Sequence, residues 1–264
     1  MKKVIGSLLG IIVLGAVAIA FYLWLQGPTY RPAPSAPADA PPPPAASAEP
    51  EILYPVPEAP PAALPALDKS DPVILGALSD LLGRAAVKRL LQPEEIVRRI
   101  VVTVDNLPRK VVSGQLMPTT PVSGKLRTEG KGKELTLASA NYERYTPFVR
   151  VLDTVDAKDL SALYMRFYPL FQSAYRDLGY PKGYFNDRLV AVIDHILDAP
   201  EVEGPIELVQ PHVFYKFADP ELESLSAGHK LMLRMGDANA AKVKNKLRAI
   251  RKELVKGSAE AKGR

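Results

Sequence analysis

No cysteine occurs in the chain. A disulfide framework is therefore excluded, as is attachment to a membrane through an acylated cysteine, and the fold has to be held by burial alone. Histidine is scarce at three residues, so each metal or nucleophile constellation is open to inspection singly. His212 lies beside Pro211 and His229 follows Gly228. Neither belongs to an HExxH or other close ligand spacing. A G-x-S-x-G elbow, a P-loop and a G-x-G-x-x-G after a strand are all missing. No cofactor and no metal are expected. Ser226 and His229 stand three apart, but no acid is in place to orient such a pair. Internal repeats are absent as well.

What the chain does have is a long apolar run. Val4 to Leu25 carries no charge, and at 1.5 Å per helical residue it is long enough to cross a ~30 Å hydrocarbon core. Lys2 and Lys3 precede it and only Arg31 follows closely, so the charge bias keeps residues 1–3 in the cytoplasm and exports the rest. Tyr22 and Trp24 at its far end suit the headgroup layer. A cleaved signal is the competing reading, since Ala18, Ile19 and Ala20 form an A-x-A-like site. The apolar run passes through that site to Leu25, longer than a signal core, which favours a retained anchor with the lipid bilayer as its partner. Gly6 and Gly10 have the GxxxG spacing that lets two helices approach, a weak homodimer signal.

From Gln26 to Leu67 the sequence is dominated by Pro and Ala, with an unbroken run from Pro41 to Pro44. Such a disordered, Pro-rich linker favours polyproline II, and at ~3.1 Å per residue it holds the next domain up to roughly 120 Å from the bilayer. Hydrophobic residues at 47% and charged residues at 24% argue for a folded region beyond it. The net charge of +5 is concentrated at the end: Asp237 to Arg264 holds nine Lys or Arg against three Asp or Glu, an excess of six. Such a stretch points to nucleic acid, anionic lipid or an acidic partner. Export removes nucleic acid from that list and leaves lipid headgroups and carboxylate-bearing wall polymers.

Periodicity predicts a mainly α fold, with one compact multi-helix domain over residues 68–255, a small β-hairpin element, and a disordered basic tail over 256–264. Asp71 and Pro72 open a first helix that Gly83 ends. A second covers Arg84 to Leu91, and a third restarts at Pro93, Glu94 and Glu95 and stops near Pro108. Gly124 to Glu129 and Glu134 to Ala138 flank Gly130-Lys131-Gly132-Lys133 as a hairpin. Helices are expected from Asn141 to Val155 and from Ala157 to Leu178, where Pro169 should kink or divide the segment. Tyr164, Phe167, Tyr168, Phe171 and Tyr175 give that segment an aromatic side destined for the core. Asp187 to Asp198 is strongly amphipathic. Two short strands, Ile206 to Val209 and Val213 to Phe217, precede a helix from Pro220 through Leu233 that Gly236 ends, and a last helix from Ala238 to Val255.

Two helices carry candidate chemistry. On the first, a 100° step puts Asp187, Asp194 and Asp198 on one face, with His195 about 60° from Asp198. Those groups suit a metal or acid–base site, although a solvated polar face opposite a buried one is the commoner meaning of such a pattern. On the last helix Lys244, Arg248, Arg251 and Lys252 turn outward, opposite Val243, Leu247, Ile250 and Leu254. That arrangement fits an anionic surface, but the narrow stripe without Trp or Phe favours packing on the domain.

The segments Thr103-Val-Asp-Asn-Leu-Pro-Arg109, Tyr184-Phe-Asn-Asp-Arg-Leu189, Ile193-Asp-His-Ile-Leu197, Phe217-Ala-Asp-Pro-Glu-Leu222 and Leu225-Ser-Ala-Gly-His-Lys-Leu-Met-Leu-Arg-Met-Gly236 together resemble the proteobacterial family called domain of unknown function 3014. The likeness covers about Leu67 to Lys252, and members of that family look alike in also having an N-terminal membrane helix and a Pro-rich spacer, as here; His229 departs from the pattern where glutamine is expected. The resemblance implies a single folded unit in a bacterial envelope and supplies no activity, cofactor or partner. Anchor, spacer and compact domain without a catalytic set lead to one expectation. This is a single-pass inner-membrane protein whose periplasmic domain binds an envelope protein or wall polymer without catalysis. The polar residues expected to serve it are Asp105, Asn106, Arg109, Asn186, Asp187, Arg188, Asp194 and His195. The alternatives are an envelope hydrolase using Asp187, Asp194 and His195, and a purely structural tether or lipid-surface-binding protein.

Overall fold

A computed structural model describes residues 51–57, 64–122 and 124–263. The run from Val4 to Leu25, with Gly6 and Gly10, and most of the Pro/Ala-rich stretch lie outside the described residues. Among the described residues no helix is long and apolar enough to cross a membrane.

Pro72 sits in the first turn of α1 (Asp71–Leu82), where a missing N–H costs nothing, and Gly83 at φ +85° closes the helix. Asp71 does cap free N–H groups, but not those of its own helix. Beyond α2 (Arg84–Leu90), its carboxylate accepts hydrogen bonds from the N–H of Glu95 at 2.7 Å and of Ile96 at 3.0 Å. It thus starts α3 (Ile96–Asn106) at the positive end of that helix dipole.

The helix expected from Asn141 to Val155 is split. A 3-10 turn over Ser139–Arg144 precedes α4 (Thr146–Thr154), because Pro147 cannot continue a helix but can begin one. The next helix is not split: α5 (Ala157–Asp177) is capped by the Asp156 carboxylate and runs undivided through Pro169. Packing of its aromatic side against the neighbouring helices outweighs the ~3 kcal/mol that an interior proline costs. α6 (Phe185–Leu197) follows. The helix expected from Pro220 to Leu233 is divided into α7 (Pro220–Ser224) and α8 (Ala227–Met235), since Ser226 takes an extended conformation and its Oγ caps α8 by accepting from the His229 N–H at 3.1 Å. α9 (Asp237–Lys262) extends seven residues past Val255. Residues 256–262 are therefore helical rather than a disordered tail. Gly257 and Ser258 are buried there, and a Cβ on Gly257 would lie 2.5 Å from the Met165 Cε of α5, so the helices meet where one residue has no side chain.

The expected hairpin forms, and the two further strands also form and pair with each other, all shorter than the patterns suggested. β1 (Thr128–Glu129) pairs antiparallel with β2 (Thr136–Leu137), and β3 (Leu208–Val209) with β4 (Lys216–Phe217). The hairpins are joined through Leu137 N–H to Ile206 O and Leu208 N–H to Leu135 O. Val213 and Phe214, expected in a strand, stand at the loop and are exposed.

α6 is the hub. Phe185 packs with Phe167, Phe171 and Val101 in a core formed by α1, α3, α5 and α6. Val192 and Ile196 join Val149 of α4 and Met232 and Met235 of α8. Val190 and Ile193 meet Leu254 of α9. A helix enclosed on this many sides has little solvated face left, contrary to the two-sided reading of its sequence.

The basic excess of α9 is partly spent inside the fold. Lys244, expected to turn outward, is buried, and its Nζ donates to Ala199 O at 2.7 Å, just beyond the C-terminal end of α6. Lys246 likewise donates to Asp153 O and Val155 O at the end of α4, and Lys230 to Glu223 O at the end of α7. Each cation meets carbonyls that a helix end leaves without partners.

Candidate functional site

The eight polar residues picked out in the sequence do not converge on one site. Asp105 at the end of α3 is 2% exposed. Its carboxylate accepts from Arg109 Nη2 at 2.7 Å, Arg188 Nε at 3.0 Å and the Tyr180 hydroxyl at 3.2 Å, while Arg188 Nη2 also donates to Asp105 O at 2.7 Å. This is a clamp between the end of α3 and the first turn of α6. Asn106 donates only to Val102 O of its own helix.

Asn186 and Asp187 do something different. The Asp187 carboxylate accepts from the N–H of Leu53 at 3.0 Å and of Tyr54 at 2.7 Å. Asn186 Nδ2 donates to Tyr54 O at 2.8 Å, and the Val56 N–H donates to the Tyr184 hydroxyl at 2.7 Å. Four main-chain groups of Leu53, Tyr54 and Val56 are held by three side chains at the start of α6. Side chains reach inward from the same segment: Tyr54 packs beside Val190, Ile193 and Leu254, and Val56 against the core around Phe167. The arrangement is a groove filled by the end of the Pro-rich stretch. Sequence reading assigned residues 51–57 to a linker and missed Tyr184 and Tyr54; the signal was the alternating pair Tyr54 and Val56 inside a Pro/Ala background, since Ile52 and Leu53 are exposed.

Further along α6 the chemistry turns inward again. Asp194 forms a two-point pair with Arg251 of α9, Nη2 to Oδ2 at 2.9 Å. That pairing holds the Arg251 guanidinium more firmly protonated, and it removes Arg251 from the expected cationic face. Of that set, Arg248 and Lys252 are exposed. His195 Nε2 shares a 2.8 Å hydrogen bond with Ser226 Oγ, and its ring stacks on His229 with centroids 4.1 Å apart and planes 9° from parallel. The His229 Nε2–H donates to the His195 carbonyl. Ser226 Oγ thus meets the ring of His195 and, of His229, only the main-chain N–H. The adjacent Ala227 and Gly228 N–H groups donate to Arg109 O and Leu107 O, so they are not free to stabilise an oxyanion. Asp187, Asp194 and His195 have three separate sets of partners. Among the described residues no three His, Cys, Asp or Glu side chains are placed to hold a metal ion.

His195 carries a pH dependence. Burial, then the facing His229 ring, hold the His195 pKa below its ordinary value; Arg188 adds to the lowering and Asp198 opposes it. The fold favours neutral His195, so its contribution is complete above about pH 6.5 and is lost as pH falls through the lowered pKa. The urea midpoint of the wild type is expected to drop between pH 7 and pH 5, and less in His195→Gln. Parallel curves for the two proteins would assign the drop to other groups.

A further concave feature has an apolar lining. Between α1, α3, α5 and α6 lies a cavity of about 180 Å³. Phe167, Phe171 and Phe185 form its buried floor, and half-buried Leu78, Leu160 and Leu163 border its open side. Its single hydroxyl belongs to Tyr164, which donates to Asn186 Oδ1 at 3.2 Å.

Comparison with known proteins adds a family without an activity. The sequence profile of a family described as "Protein of unknown function (DUF3014)" matches residues 96–251, more than half of the chain. The match begins at the first residue of α3 rather than near Leu67, and it ends within α9. No curated protein and no solved structure matches.

Proposed function

We propose, for a chain that belongs to the family of proteins of unknown function DUF3014, a non-enzymatic binding role in which the helical domain grips an extended, proline-containing segment of an envelope protein. The setting proposed with it is a single pass of Val4 to Leu25 through a bacterial inner membrane, with the domain on the periplasmic side. The observation that carries the binding role is the grip on residues 53–56 by Tyr184, Asn186 and Asp187. Recognition through main-chain N–H and C=O groups tolerates a change of sequence, while slots for alternate side chains select what enters. A spacing of amides suits a polypeptide better than a wall polymer. The chain's own segment fills the groove until a partner's segment competes for it.

A fluorescent peptide of sequence Glu51–Pro57 tests this on the full chain. Tyr54→Gly removes the side chain that seats the resident segment and is expected to raise peptide binding over the wild type. Adding Asp187→Ala deletes a charge-assisted contact worth about 1.5 kcal/mol or more, so binding should weaken about tenfold or more. No binding in the Tyr54→Gly protein, or equal binding with and without Asp187, would sink the proposal.

A further inference from the structure

We propose that the cavity between α1, α3, α5 and α6 is a binding site for an alkyl chain and takes its last six to eight carbons or so. This goes beyond the peptide reading, and the two sites adjoin through the Tyr164–Asn186 hydrogen bond. An apolar cavity of about 150 Å³ holds a benzene molecule, so the observed volume of about 180 Å³ suits a slightly longer hydrocarbon. Water is a poor occupant, because a buried water needs two to four polar partners. The cavity offers only the Tyr164 hydroxyl, whose proton goes to Asn186 Oδ1. Burial also pushes the Tyr164 pKa well up, so the wall carries no charge there to meet a headgroup. The aromatic floor is buried, and the leucines at the open side are half-exposed. A chain can therefore enter tip first, with its polar end left in water.

The source of such a chain is either a free fatty acid or a membrane lipid, and both present the same chemistry. Full-length protein in nanodiscs is exposed in one arm to a diazirine-bearing free fatty acid, and in the other to nanodiscs containing a diazirine-bearing phospholipid. Crosslinked peptides are then mapped. Label is expected on the peptides carrying Leu163 and Val104, and the arm that gives it identifies the source. Butanoate, hexanoate, octanoate and decanoate are used as competitors. Each added methylene should strengthen competition about fourfold, and the gain should stop near eight carbons, where the cavity is full. Simple partition into the bilayer would show no such ceiling. Val104→Phe fills the cavity from α3, and Leu163→Trp covers it from α5, which keeps the test usable if the first variant fails to fold. Either substitution in a folded protein should remove the label. Label elsewhere only, label unchanged in both variants, or a competition series without a ceiling overturns the proposal.

Discussion

Asp105→Ala is expected to lower the stability of the fold by about 3 kcal/mol in urea denaturation, whereas Arg109→Ala should cost less than about 1 kcal/mol. The two residues form one ion pair at 2.7 Å, and the asymmetry comes from where each partner sits. The Asp105 side chain is 3% exposed and the Arg109 side chain 55%. Removing Arg109 leaves the carboxylate with Arg188 and the Tyr180 hydroxyl. Deleting the carboxylate takes from two guanidiniums and a phenol the buried acceptor that they share. Breaking a buried pair from its buried side usually costs about 3 to 5 kcal/mol; Arg188 still reaches solvent and the Asp105 carbonyl, which puts the expectation at the lower end. Equal losses from the two variants would mean that the clamp is an ordinary surface pair.

The second large effect is expected at Gly236, which joins α8 to α9 at φ +77° and ψ +158°, a region open almost only to glycine. A Cβ there would also lie 2.5 to 2.8 Å from three atoms of the Tyr142 ring. Gly236→Ala therefore combines backbone strain of about 1 to 3 kcal/mol with displacement of a ring, and a loss of about 3 kcal/mol or more is expected. Gly83→Ala is the control. Its φ is +85° and a Cβ there would meet nothing within 4 Å, so it reads strain alone. The difference between their thermal shifts reports the ring contact, and identical shifts would show that Tyr142 gives way freely.

Both glycines were legible as helix ends, because a positive φ is a local demand that one residue type meets. The first hairpin, the positions of the two later strands and the aromatic side of α5 were legible for the same reason: periodicity and turn residues act over a few positions. The helix is not divided at Pro169, and it is divided at Ser226, where the sequence pattern runs on. A proline penalty is local, but packing along the whole of α5 decided whether the helix broke; at Ser226 a cap on α8, together with the contact to His195, favoured an extended residue where the periodicity continued.

The candidate residues divide along the same line. Asn186 and Asp187 were singled out as polar groups beside apolar runs, and they do form the groove, yet nothing in their spacing named the segment they hold more than 130 residues away in sequence. Lys244 carried the pattern of a solvated cation, and it is buried because the end of α6 presents it with a carbonyl.

By itself, the order of residues determined that the fold is mainly helical, where most helices begin and end, and that no thiol chemistry takes part, since each follows from side-chain identity within a turn or two. Only the tertiary structure decided which polar groups are spent on one another, that the linker's end seats in a groove, and that four helices leave an apolar cavity. Those outcomes depend on which distant surfaces compete for the same hydrogen bonds and the same volume, and that competition is settled when the helices pack.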